Sequence, residues 1–174
     1  MKKLLGIISV CVLVLICPSC YTLKNQSIPP GLKTINVQFF ENNAALVVNN
    51  LSQTFTEALK DRIRTQTSLS LVRGEADATM SGAITGYSIA PASIQATANN
   101  VAPIADANRL TITVRVKFSF DAAKTPAEKK ISFEQSFTKF ADYRGDISSQ
   151  EQNLIQQINK QLIDDIFNAA FSNW

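Results

Sequence analysis

Cys20 has the most definite chemistry written around it. It follows two lysines, Lys2 and Lys3, and an unbroken apolar-or-small run from Leu4 to Ile16. That order is a charged region, an apolar region and a cleavage site, so residues 1–19 are expected to be an export signal and no part of the fold. The run is also shorter than the roughly 20 apolar residues that a bilayer-spanning helix needs. Ser19, small and directly before Cys20, resembles the lipobox at which exported lipoproteins are cut. Cleavage there would leave Cys20 as a lipidated N-terminus. Cys17 stands where a lipobox usually has leucine, and bulky Ile16 makes Cys17 itself the poorer acceptor. The competing reading is an ordinary secretory signal followed by an incidental cysteine.

The rest of the chain is poor in reactive groups. It contains no histidine, which removes Ser-His-Asp and Cys-His chemistry, histidine zinc sites and the commonest general base. Cys11 and Cys17 fall within the signal, so the mature chain keeps Cys20 alone, without a disulfide partner. Once acylated it offers no thiol. Asp164-Asp165 looks like a metal or acid–base pair, but neighbouring residues on a helix diverge by about 100° and read better as a solvated face. Gly82-x-x-x-Gly86 lacks the lysine of a phosphate loop. In a strand it marks a bulge or a close backbone contact. Arg115 and Lys117, two residues apart among threonines, are the candidate binding pair for phosphates or carboxylates through charge-assisted hydrogen bonds. Against that stands an ordinary solvated sheet face. Lys139 would join them, except that it shares the parity of Phe137 and so falls toward the covered side. Trp174 either packs back on the core or lies in an interface.

Composition bounds the class of protein. Without Lys2 and Lys3 the formal charge of +3 falls to +1. A nearly neutral mature chain lacks the basic stripe of a nucleic-acid binder, so none is expected as a partner. Residues 20–174 suffice for one globular domain with a real core.

The elements follow from periodicity. Tyr21 to Lys33, with Pro29-Pro30-Gly31, is aperiodic and reads as a tether, giving the division 1–19 signal, 20–33 lipidated tether, 34–174 folded domain. Thr34–Phe39 alternates as a half-buried strand, broken by Glu41-Asn42-Asn43. Val48, Leu51, Phe55, Ala58, Leu59 and Ile63 repeat at helical steps, with Asn49 or Asn50 as N-cap. Leu69–Val72 is a short strand. Residues 78–89 form another, whose parity switches at Gly86 and so predicts a β-bulge. Ala90–Ala107, uncharged apart from Asp106, reads as a long loop, either for partner or membrane contact or as plain disorder. Leu110, Ile112, Val114, Val116, Phe118 and Phe120 alternate strictly with polar residues, the pattern of a strand with one wet face. Ala122–Lys130 is a charged turn, and Ile131 to Asp142 is the last strand. Ile147–Trp174 is a helix with a stripe from Leu154 to Phe171, capped by Ser148 or Ser149. One-sided strands and one-sided helices cover each other, which predicts an α+β two-layer sandwich: two helices on one face of a largely antiparallel sheet of four to five strands.

Several runs, in sequential order from Cys20 to Trp174, carry a resemblance to a known family. They are Ser27–Gly31 leading into Thr34–Phe40, Leu51–Asp61 on the first helix, Asn108–Val114 opening the long strand, Phe133–Phe137 on the last strand, Asp164–Asn168, and Asn173-Trp174 at the end. In them the chain resembles the lipopolysaccharide-assembly lipoprotein family LptE, in its short-tether version. The resemblance implies two helices on a four-stranded sheet and no catalysis or cofactor. It further implies a lipid-anchored accessory and plug subunit of an LptD-like outer-membrane β-barrel that delivers lipopolysaccharide, with lipopolysaccharide itself as a second ligand. The family sits on the inner leaflet of the outer membrane. Tyr21–Asn25 carries no acidic run that would redirect it to the surface, so a periplasm-facing position is expected. Two other readings remain: a scaffold lipoprotein of another envelope complex, and a lipid-anchored hydrolase built from carboxylates such as Glu41, Glu57 and Asp61.

Overall fold

The computed structural model describes residues 28–29, 31–46, 48–95, 104–123, 125–129 and 131–172. The signal, Cys20 and Trp174 lie outside them. In chain order the elements are β1 (Thr34–Val37), β2 (Glu41–Asn42), α1 (Leu51–Gln66), β3 (Ser70–Leu71), β4 (Ala78–Gln95), β5 (Ile104–Phe120), α2 (Pro126–Lys129), β6 (Phe133–Tyr143) and α3 (Glu151–Phe171). The sheet order is β3-β1-β4-β5-β6, with β2 also on β4.

The sheet is mixed. β4, β5 and β6 form an antiparallel meander, whereas β1 runs parallel to both β3 and β4, and β2 parallel to β4. The expected two-layer α+β sandwich is present, with parallel pairing confined to its short strands. Parallel neighbours need a crossover, and α1 supplies it between β1 and β3.

Glu41-Asn42, expected as a break, is instead a second strand segment. Ile35 faces Ala78 and Val37 faces Met80, while Glu41 faces Ala83. The offset changes by one residue between the two runs, so Gln38–Phe40 bulges. The bulge turns Phe40 fully into the core and leaves Phe39 exposed. Phe40 is then fixed by its amide, which donates to Thr56 Oγ1 at 3.1 Å, and by its ring, 5.3 Å from that of Phe55.

The helices cover one face. α1 buries Leu51, Phe55, Leu59 and Ile63 at four-residue steps, and α3 buries Leu154, Ile155, Ile158, Leu162, Ile163, Ile166, Ala170 and Phe171. Each Leu, Ile or Phe side chain removed from water contributes about 1.5–3 kcal/mol. Beneath them lie Leu110, Ile112, Val114, Val116, Phe118 and Phe120, all buried as the alternation predicts. The helix ends differ from expectation. Asn50 occupies the N-cap of α1 with φ 64° but makes no side-chain cap bond. Gln150, not Ser148 or Ser149, precedes α3, because Ser148 is drawn to Asp146 and Ser149 to the Asp146 carbonyl.

The stretch Ala90–Ala107 is not a loop over most of its length. β4 continues to Gln95 and β5 begins at Ile104, so the pair forms a long hairpin arm. Small residues and Pro91 hid the strand, since their strand preference is weak. The expected bulge is present, as a register shift between Ile84 and Gly86. Part of the charged turn winds into α2.

The start of β1 is pinned to β4 by Asp77, whose Oδ2 accepts from the amides of Lys33 (3.0 Å) and Thr34 (2.8 Å) and from Thr34 Oγ1 (2.8 Å). The bonds from Lys33 and Thr34 hold its carboxyl below the usual range. Ile28 packs against the core and Leu32 is buried in it, so packing begins ahead of β1.

Candidate functional site

Among the described residues nothing covers the face of the sheet opposite the helices. Its side chains come from alternate positions of three strands: Ser81 and Ala83 on β4; Arg109, Thr111, Thr113, Arg115 and Lys117 on β5; Glu134, Ser136, Thr138, Phe140 and Asp142 on β6. Pairing sets them side by side. Arg115 stands between Ala83 and Ser136, and Lys117 between Ser81 and Glu134. Both are exposed, and among the described residues no carboxylate forms an ion pair with either.

Lys139 separates from them. It faces Ile112 on the covered side, where its Nζ meets Asp165 Oδ2 of α3 at 2.8 Å. The basic group is therefore a pair, as the parity of Lys139 implies. Asp164 turns the other way and binds Arg62 of α1 at 2.9 Å. Adjacent aspartates thus diverge onto two neighbouring elements, and the solvated face assigned to them is a pair of bridges tying α3 to β6 and α1.

The upper end of the open face carries a cluster that sequence reading passed over. Arg109 donates to Asp142 through Nε (2.7 Å) and an Nη (2.9 Å), and its guanidinium lies 3.7 Å from the centre of the Phe140 ring. Hydrogen bonding to Arg109 lowers the Asp142 carboxyl below its usual range and raises Arg109. Parity puts Phe140 and Asp142 on the face of Thr138, but their meeting with Arg109 needs the register between β5 and β6. Between this cluster and the basic pair, Thr113 and Thr138 share a hydrogen bond across the strands at 3.0 Å. The open face thus grades from a neutralised arginine stacked on an exposed aromatic ring, through hydroxyls, to two unpaired cations. Such a surface has the donors for anionic oxygen groups and an apolar ring beside them.

The carboxylates of a hydrolase do not converge. Glu57 and Asp61 both lie on α1, where each is taken up by an ion pair one turn on, Glu57 with Lys60 and Asp61 with Arg64, and Glu41 lies apart in β2. Glu57 is held below its usual range by the Lys60 bond. Tyr87 donates to Glu151 at 2.6 Å; burial, then that bond, raises its hydroxyl, a structural link from sheet to α3. Among the described residues no group of histidine, cysteine and carboxylates is placed to hold a metal, and no helix is long and apolar enough to cross a membrane.

The family model LptE, described as lipopolysaccharide-assembly, matches residues 32–170. A hypothetical protein from Chlamydia trachomatis superposes with a TM-score of 0.51 at 10% identity, covering 82% of this chain and 99% of that one. A minor lipoprotein from Acinetobacter baumannii gives 0.45 at 14% identity, over 79% and 93% of the two chains. Rare lipoprotein B from Shewanella oneidensis gives 0.43 at 7% identity, over 79% and 90%. At 10% identity the chlamydial likeness is one of fold alone. No curated protein matches.

Proposed function

The chain belongs to the LptE family of lipopolysaccharide assembly, and from that premise we propose that it is a lipid-anchored accessory and plug subunit of an LptD-like outer-membrane β-barrel. In this reading it faces the periplasm, supports lipopolysaccharide insertion and acts by binding. Residues 1–19 are the signal, Cys20 carries the acyl chains, and residues 20–33 reach from the membrane to the start of β1. Because β1 and β4 are parallel, the hairpin arm extends beyond the opposite end of the sheet, and Gln95 lies roughly 55 Å along β4 from the start of β1 at about 3.3 Å per residue.

The observation that carries the reading is the open sheet face with Arg115 and Lys117 unpaired. They project from one face about 7 Å apart along the strand, which suits two phosphate or carboxylate groups. Charge reversal of both to Glu should leave the fold intact, because exposed charges contribute little to stability. It should weaken binding, and wild-type binding should itself weaken with salt as exposed contacts are screened. The assay compares folded wild type and double variant against purified lipopolysaccharide and against the barrel that co-purifies from detergent-solubilised membranes. Unchanged affinity for both would remove the pair from the site and leave the hairpin arm as the next surface to test. Co-purification of a different large envelope complex would favour the scaffold reading.

The anchor has its own test. Two acyl chains suffice for stable attachment, each buried methylene contributing about 0.8 kcal/mol. Cys20→Ala should therefore release the protein from membranes or leave it unprocessed. Mass spectrometry that finds an unmodified N-terminus at another residue would remove Cys20 from its role.

A further inference from the structure

β6 ends one side of the sheet. It pairs with β5 from Phe133 to Tyr143 without a register shift, and among the described residues no strand pairs with its outer side. The sheet's other edges are cut short or broken. The far side ends on β3 and β2, each two residues long. Above β2, the free side of β4 carries Pro91 and register shifts at Ile84/Gly86, Pro91/Ser93 and Ser93/Ile94. Short strands, prolines and bulges are the devices that keep an edge from pairing with another chain. β6 has none of these along its length. A charge on the covered side is a further such device, but that of Lys139 is met by Asp165.

The sequence of β6 favours its own copy as the occupant. Two antiparallel copies about a two-fold axis normal to the sheet set residues of one face opposite each other, so each register is named by the residue on the axis. Centred on Thr138, Glu134 meets Asp142 of the second copy, twice. Centred on Lys139, two ammonium groups meet. Like charges directly opposite are destabilising. Centred on Ser136 or Phe137, Phe133 faces Lys139 or Ala141 and finds no ring. Centred on Phe140, no like charges meet and every aromatic residue of the overlap, Phe137–Tyr143, finds another. Phe140, 47% exposed, faces its own copy, and Phe137 faces Tyr143 of the second copy on the covered side. Thr138 sets its hydroxyl against Asp142. The Arg109 guanidinium on each Phe140 ring is already bridged to Asp142 of its own chain, so it brings no net charge to the axis. We infer that β6 is the surface through which this chain pairs with a second copy of itself, antiparallel and centred on Phe140, so that one sheet runs through both. Arg115 and Lys117 stand beside Ser136 and Glu134, outside the overlap, and the pairing is independent of the barrel reading.

The test uses the full chain in detergent micelles kept in excess over protein. Oxidation of Phe140→Cys should give a disulfide-linked dimer above the wild-type background, since residues directly opposite hold their Cβ atoms about 4.5–5.5 Å apart, close to disulfide reach. Thr138→Cys alone should not link, because its two copies lie about four residues apart along the strands, roughly 13 Å. Thr138→Cys mixed with Asp142→Cys should. Sedimentation should show the wild type dimerising reversibly with concentration. Phe140→Lys, an exposed change that sets two ammonium groups on the axis, should weaken dimerisation by about tenfold or more. Phe39→Lys, at an exposed phenylalanine away from β6, should leave it unchanged. A wild type that stays monomeric, no linkage at position 140, linkage of Thr138→Cys alone as strong as that of Phe140→Cys, or Phe140→Lys dimerising as tightly as wild type would each overturn the inference.

Discussion

Phe118→Ala should cost about 3–5 kcal/mol of stability, through lost burial and the cavity left behind. Phe118 is 1% exposed, with its ring centre 5.8 Å from those of both Phe133 and Phe171. It joins β5 to β6 and to the last turn of α3, so no single neighbour can relax into the space. Thr113→Ala, on the same strand but on the open face, removes one cross-strand hydroxyl bond to Thr138. Such pairs contribute roughly 0.2–1 kcal/mol, so the change should be small. Urea unfolding of both variants measures the difference directly. Equal losses at the two positions would mean that the face bearing Arg115 and Lys117 is also covered, which would remove the open surface on which the functional reading rests.

That contrast was legible in the sequence because β5 alternates without a lapse from Leu110 to Phe120. Period-two patterning fixes which residues share a face whatever the strand pairs with. The two helices were legible for the same reason at period 3.6. Where the pattern fails, other forces decide. β2 is two residues long and exists because a bulge at Gln38–Phe40 restores pairing to β4 after Phe40 has turned inward. No two-residue window carries that information. The parallel pairing of β1 was equally hidden, because strand direction depends on where α1 delivers the chain. The hairpin arm is built from small residues and a proline, whose weak strand preference is overridden by backbone pairing to β5.

The candidate site divides along the same line. Exposure of Arg115 and Lys117, and the removal of Lys139 from their face, followed from parity alone. The Arg109–Asp142 bridge did not, since it requires knowing the register between β5 and β6. The Arg62–Asp164 bridge depends on how α1 packs beside α3.

Gly82 and Gly86 put the reading of small residues to its sharpest test. Both were assigned either to a bulge or to a close contact, and the structure gives one role to each. Gly86 is at the register shift, and a Cβ there would meet Thr113 Cβ at 3.2 Å and Oγ1 at 3.3 Å, contacts that need only a few tenths of an ångström of give. A Cβ on Gly82 would lie 2.1 Å from the Arg115 carbonyl oxygen and 2.6 Å from Cε1 of Phe40. The first is main chain of the central strand and cannot retreat without disturbing its pairing. The second belongs to a fully buried ring held by the Thr56 bond and by Phe55. Overpacking of this kind costs about 1–3 kcal/mol and more where backbone must move, so Gly82→Ala should lose about 3 kcal/mol or more. Gly86→Ala should lose about 1 kcal/mol or less, since a shift of a few tenths of an ångström relieves the contact. Pairing Gly82→Ala with Phe40→Leu separates the two obstacles. Partial recovery would assign the clash to the ring, and no recovery would assign it to the carbonyl of Arg115. In the second case the alanine displaces the strand segment that presents Arg115 and Lys117, so it should impair binding at the open face even in the fraction that folds. Losses of equal size at 82 and 86 would refute the close approach of Phe40 to β4, and with it the bulge that turns the ring into the core.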